Sequence, residues 1–223
     1  MIIIEDILIH DLKSPLFSIN AGIEMLEKFP NENLSMEQKD CLSNIKTAAE
    51  VLTGLIMDIQ LAVKSEDKNF SLKKSEFYAA ELGGRLDPLK KYAELHDREL
   101  AVELPEKLKV FADQEVLYRV LNIILLNSIK QSTKRCRISL SAKKDGREVL
   151  FSIVDCAKNI PVPAAGDIFD PLFKSNFPEM AADVPPGIGF YFCSLMVKEH
   201  KGKIGLEIIP GQGNKYSIRL PEK

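Results

Sequence analysis

Two stretches near the start of the chain carry apolar residues at helical spacing. Ile9, Leu12, Leu16, Ile19, Ile23 and Leu26 fall three and four residues apart in alternation, an a/d heptad stripe that predicts a helix over 4–29. Phe29-Pro30-Asn31-Glu32-Asn33 interrupts the stripe, and Ser35 with Gln38 has the spacing of a capping box that opens a second helix. That helix repeats the stripe through Leu42, Ile45, Ala49, Leu52, Ile56, Ile59 and Val63. Two helices joined by a short loop form an antiparallel hairpin. One hairpin with seams this regular leaves apolar surface uncovered. A second copy would close a four-helix bundle, so a homodimer is expected; the alternative is a seam packed on the chain's own second half.

The polar run over 65–71 reads as a linker, which divides the chain into a hairpin domain over 1–64 and a second domain over 72–223. Beyond it the grammar changes. A short strand near Leu72 precedes a helix over 76–97, weakened by Gly83-Gly84, and strands near 99–104 and 108–111 follow. Asp113 is placed to cap a strongly apolar helix that runs to 132. Two strand-like stretches, 136–144 and 147–155, joined by Asp145-Gly146 predict a β-hairpin. An irregular, Pro- and Ala-rich segment over 156–186 leads to a helix over 188–200 and a last hairpin turning at 211–214. Mixed strands with helices on one side predict an α+β sandwich.

Composition narrows the class of partner. Of 223 residues 45 % are hydrophobic and 28 % charged, which argues against disorder, and a net charge of −2 gives no reason to expect nucleic acid or anionic membrane. No apolar run approaches the roughly 20 residues that cross a bilayer. The apolar opening carries Glu5 and Asp6 and lacks a basic n-region, so it does not read as a signal peptide, and a cytoplasmic protein is expected. Cys41, Cys136, Cys156 and Cys193 form no CxxC pair and are expected as buried, reduced thiols.

His10 falls one position after the seam residue Ile9, so its side chain is expected off the helix core. Asp11 follows, and Pro15 removes an intrahelical bond just beyond. Neutral imidazole is a nucleophile at neutral pH, and an adjacent carboxylate orients the ring and takes up its proton. An exposed histidine beside an ordinary acid reads the same way from spacing alone. The run His10-Asp11-Leu12-Lys13-Ser14-Pro15-Leu16, however, resembles the H-box of sensor histidine kinases, H-[DE]-L-[RK]-[ST]-P-L, at all seven positions. That resemblance implies that His10 is the phosphorylated residue and Asp11 the acid/base beside it. Ser14 is implied to help position a hydrolytic water.

The order of elements over 72–223 resembles the Bergerat-fold ATP-binding domain of the same kinases, shared with gyrase and Hsp90-type ATPases, so the resemblance covers nearly the whole chain. Asn127-Ser128-Ile129-Lys130 resembles the N-box, which makes Asn127 a Mg²⁺ ligand and Lys130 a phosphate contact. Ile123 stands where the family has an earlier asparagine. Asp155-Cys156-Ala157-Lys158-Asn159-Ile160-Pro161 resembles the G1 box, D-x-G-x-G-I-P. Asp155 is thereby implied to accept the adenine amino hydrogens, while Ala157 and Asn159 replace both glycines. Phe169 to Lys174 resembles the F-box, and Gly187-Ile188-Gly189-Phe190 the G2 box, with Pro185 in place of a third glycine. The resemblance implies that Lys174, Gly187 and Gly189 also contact the nucleotide.

The function expected is a histidine kinase core that uses ATP and Mg²⁺ to phosphorylate His10 and then hands the phosphoryl group to a response-regulator receiver domain. The alternative is an ATP-independent histidine phosphotransferase relaying phosphate between regulators, favoured by the replaced glycines. A third reading is a scaffold that only docks a regulator.

Overall fold

In the computed structural model the described residues are 16–26, 34–39, 41–42, 45, 49, 52, 56, 71–157, 168–170 and 188–223. The chain divides into two compact units, Met1–Lys68 and Asn69–Lys223.

Within the first unit, residues 16–26 and 36–39 are helical, as are the described positions from 41 to 56. The Ser35 N–H donates to Gln38 Oε1 at 2.9 Å and the Gln38 N–H to Ser35 Oγ at 3.2 Å, a reciprocal cap. Leu16, Ile23, Ala49 and Ile56 form one apolar core with Leu42 packed against it. Ile19, Leu26, Ile45 and Leu52 belong to the same stripes and stay exposed in the single chain.

The second unit opens with β1 (Ser75–Tyr78), α1 (Glu81–Arg85) and α2 (Asp87–Leu95). The strand expected near Leu72 thus lies three residues later, and the helix expected over 76–97 is two helices. Its first residues instead pair antiparallel with β3, and the helix breaks at Leu86, just after the Gly83-Gly84 pair that weakens it. There follow β2 (Glu99–Glu103), β3 (Lys109–Ala112), α3 (Gln114–Gln131), β4 (Arg137–Asp145), β5 (Glu148–Val154), α4 (Ile188–Glu199), β6 (Lys203–Ile209) and β7 (Gly213–Pro221). Five strands form one sheet in the order β2-β4-β5-β7-β6, and β1 with β3 forms a separate two-stranded sheet. Among the described strands only the β2–β4 pair is parallel.

Alternation fixes which face of the sheet is covered. Ile138, Leu140 and Ala142 on β4, and Tyr216, Ile218 and Leu220 on β7, are buried while their neighbours along the strand are not. α3 buries Val116, Leu117, Val120, Leu121, Ile124, Leu125, Ser128 and Ile129, a stripe at helical spacing. Asp113 caps α3 by accepting from the Val116 N–H, and it also takes the Lys73 N–H at 2.8 Å. The Asp113 N–H donates to Nε2 of buried His200 at 2.9 Å, and His200 Nδ1 is held on the Met196 carbonyl at 2.7 Å.

The cysteines depart from expectation. Cys136 and Cys156 are disulfide-bonded, with Cα atoms 6.0 Å apart, and Cys41 is exposed; Cys193 is buried, as expected. The physical reason is the hairpin: the two residues lie just outside β4 and β5, ten positions on either side of Gly146, so antiparallel pairing brings their ends together. Equidistance from a hairpin turn is a signal that the search for CxxC overlooked.

Candidate functional site

Asp155 follows the last residue of β5 and is 1 % exposed. Its Oδ1 accepts the Ala157 N–H at 3.1 Å, the Asn214 N–H at 3.1 Å and the Asn214 side-chain amide at 3.2 Å. Its Oδ2 accepts the Ser128 hydroxyl at 2.9 Å. A carboxylate offers about four acceptor positions over two oxygens, so among the described residues Oδ2 keeps capacity for one more donor. Burial pushes the Asp155 carboxyl above the usual range, and the hydrogen bonds from Ala157, Ser128 and Asn214 offset part of that rise.

Backbone geometry makes this cluster possible. The Asp155 N–H donates to the Asn214 carbonyl at 2.9 Å, so β7 closes directly on the carboxylate. Gly213, at φ +125°, lies so near that a Cβ there would fall inside the envelope of the Asp155 carbonyl oxygen. Ser132, at the C-cap of α3, accepts the Cys156 N–H on its hydroxyl at 3.2 Å and bridges to Ala157.

Asn127 and Ser128 are consecutive on α3 but turn to different neighbours. Ser128 meets Asp155, whereas Asn127 is joined by a side-chain hydrogen bond to Tyr216 on β7. Burial pushes the Tyr216 phenol far above its usual range, so it stays neutral. Phe190 on α4 packs 5.8 Å from the Tyr216 ring and 5.7 Å from Phe169, linking the F-box residue to the same network. Lys130 is exposed. Gly189 lies in the first turn of α4, where a Cβ would stand 3.2 Å from Ile123 Cγ2; its lack of a side chain lets α4 approach α3.

Asn127, Asp155, Ala157, Lys130 and Gly189 are therefore all in the second unit, with Asp155 and Ala157 in direct contact. His10, Asp11, Ser14, Asn159, Lys174 and Gly187 lie outside the described residues. Sequence reading missed Asn214, Ser132 and Tyr216. Alternation in β7 marks Asn214 and Tyr216 as inward-facing, and a polar residue on such a face was the available signal.

This arrangement defines a Bergerat-type nucleotide domain: a mixed sheet covered by α3 and α4, with a buried acid at the end of β5. Residues 112–223 match the histidine kinase-, DNA gyrase B- and HSP90-like ATPase family, and the chain belongs to that family. Its second unit is an ATP-binding domain of the sensor histidine kinase kind. The adaptive-response sensory kinase SasA of Crocosphaera subtropica is 26 % identical over 223 residues, covering 96 % of this chain and 57 % of that protein. Full-length ShkA, crystallised with AMPPNP, superposes with a TM-score of 0.74 at 21 % identity, over 97 % of this chain and 45 % of that one. The histidine kinase ThkA, in its complex with the response regulator TrrA, gives a TM-score of 0.64 at 21 % identity, over 96 % and 59 %. At such identities the structural likeness bears on the fold alone. The chain spans about half the length of the curated relatives it matches. Among the described residues no helix is long and apolar enough to cross a membrane.

Proposed function

We propose that this chain is the catalytic core of a two-component histidine kinase, which moves the γ-phosphoryl of Mg·ATP to His10 and then to an aspartate of a response-regulator receiver domain. One observation carries the reading: among the described residues the buried carboxylate of Asp155 is held by four donors, with one acceptor position of Oδ2 left over. That position suits a single exocyclic amino N–H, as adenine presents. Asn127 fits the metal that accompanies the nucleotide. Mg²⁺ takes few protein ligands and prefers hard oxygens, which a neutral amide supplies, with the phosphates completing its shell.

Bound Mg·ATP would supply the phosphoryl group and neutralise its charge. The residues of this chain would do the rest. Asp155 orients the base, Asn127 holds the metal, and Lys130 and Lys174 balance phosphate charge. Ala157, Asn159, Gly187 and Gly189 shape the backbone around the nucleotide. His10 acts as nucleophile and Asp11 orients its ring; Ser14 positions water for the reverse hydrolysis. Ile19, Leu26, Ile45 and Leu52, exposed along the seams, would be covered in a homodimer of hairpins. ThkA's complex with a response regulator supports the choice of partner.

Ala157 favours the second reading, an ATP-independent phosphotransferase, because its buried methyl adjoins Asp155 where the family's pattern has glycine. Incubation with γ-labelled Mg·ATP separates the two. Acid-labile label on the wild type and none on His10→Ala is the expected result; label surviving on His10→Ala overturns the carrier assignment. No calorimetric heat with Mg·ATP, together with label gained from a phosphorylated receiver, would establish the phosphotransferase instead.

A further inference from the structure

The residue next to Asp155 is half of the Cys136–Cys156 disulfide, and the two sulfurs sit in unlike surroundings. Cys136 is 4 % exposed and its carbonyl accepts the Glu99 N–H at 2.9 Å, which fixes it in the sheet beside β2. Cys156 is only half-buried, and its backbone N–H donates to the Ser132 hydroxyl at 3.2 Å. The disulfide is therefore a covalent mooring between residues 155–157 and the start of β4, added to the hydrogen bonds that Asp155 makes with Asn214 and Ser128 and to the bridge between Ser132 and Ala157. Asp155 on one side of Cys156 is the proposed reader of the base, and Ala157 on the other donates to that carboxylate.

We infer that Cys136 and Cys156 form a reversible thiol–disulfide modification site whose oxidised state tightens the adjoining nucleotide site. This rests on the reading of that site as one for Mg·ATP. The balanced reaction takes a low-molecular-weight disulfide such as oxidised glutathione as oxidant. The Cys156 thiolate, as the accessible sulfur, attacks the small disulfide, forms a mixed disulfide and expels one thiol. The Cys136 thiolate then attacks the Cys156 sulfur, closes the intramolecular bond and expels the second thiol. Two electrons pass from the pair to the small disulfide, and the two cysteine protons end on its thiols. With the bond closed, the strip carrying Asp155 and Ala157 is ordered before nucleotide arrives; with it open, part of that ordering is charged against binding.

Calorimetry of the whole chain with Mg·ADP, poised in oxidised and in reduced glutathione, tests this. Reduction should weaken binding about fivefold, the cost of ordering a short strip on binding. By reciprocity, saturating Mg·ADP should shift the midpoint of the disulfide about 20 mV toward reducing potentials, a fivefold change for a two-electron couple. Cys136→Ala/Cys156→Ala should bind like the reduced wild type and ignore the redox buffer. Equal affinity in both states, tighter binding on reduction, or alkylation of both Cys136 and Cys156 at every poise would each overturn the inference while leaving nucleotide binding intact. Absence of binding at every poise would instead remove the nucleotide reading itself, and the inference with it.

Discussion

Asp155 concentrates opposing demands on one side chain. Its folded pKa is raised above the ordinary value of 3.8, so the stability tied to this group is full below 3.8 and is lost as pH rises through the folded value. Asp155→Asn removes that loss. The amide oxygen can still accept from Ala157 and Asn214, and its NH₂ can donate to Ser128 Oγ. The variant should therefore fold with stability within about 1 kcal/mol of wild type at neutral pH. Its Mg·ATP affinity should nevertheless fall about 10- to 150-fold, the worth of a hydrogen bond to a charged group. Urea unfolding beside calorimetry checks both halves. Tyr216→Phe makes a complementary test, because it deletes only the hydroxyl bonded to Asn127. Nucleotide affinity without metal should be unchanged, whereas the Mg²⁺ concentration that half-saturates binding should rise about fivefold, for about 1 kcal/mol of lost positioning.

Among the elements, α3 depends on a hub that spans the second unit: Asp113 caps its first turn while the Asp113 N–H is taken by His200. Burial depresses the His200 pKa below 6.5, opposed by the hydrogen bond to the Met196 carbonyl, with Lys74 adding to the fall and Asp113 and Glu199 also opposing it. Protonated imidazole cannot accept the Asp113 N–H. The stabilisation is thus present above 6.5 and lost as pH falls through the lower folded value. Urea midpoints of the second unit should drop as pH falls below 6.5, and His200→Gln should flatten that slope. This hub shows what the sequence hid. Asp113 reads as a cap from its place before an apolar run, since capping is a local matter of a few residues. Its tie to His200 spans 87 positions, and no local pattern encodes that. The same limit applies to β1, whose residues 75–78 have a helix-like neighbourhood and become a strand only because β3 pairs with them.

At the scale of the molecule, the heptad stripes made the apolar seams of the first unit legible, and the Asp145-Gly146 turn made the β4–β5 hairpin legible. The order in which the strands lie side by side was not, because β7 inserts between β5 and β6 by long-range pairing. The seams carry a prediction of their own. Ile56 is 2 % exposed inside the single-chain core, while Leu52 is 43 % exposed and Ile45 46 %. Ile56→Glu should unfold the first unit, costing about 4 kcal/mol or more. Leu52→Glu should leave its helix intact and convert the proposed homodimer to a monomer, as read by light scattering. α3, finally, works as a ruler with two pointers: Ser128 reaches the carboxylate and Asn127 reaches the phenol, from adjacent residues on a rigid rod. One residue inserted upstream in that rod would rotate everything after it by about 100°, swinging both pointers off their marks at once. One residue inserted at Gly146, in the open turn between β4 and β5, moves neither. Lineages of this chain are therefore free to vary in length at the hairpin tip and are held to register along the helix.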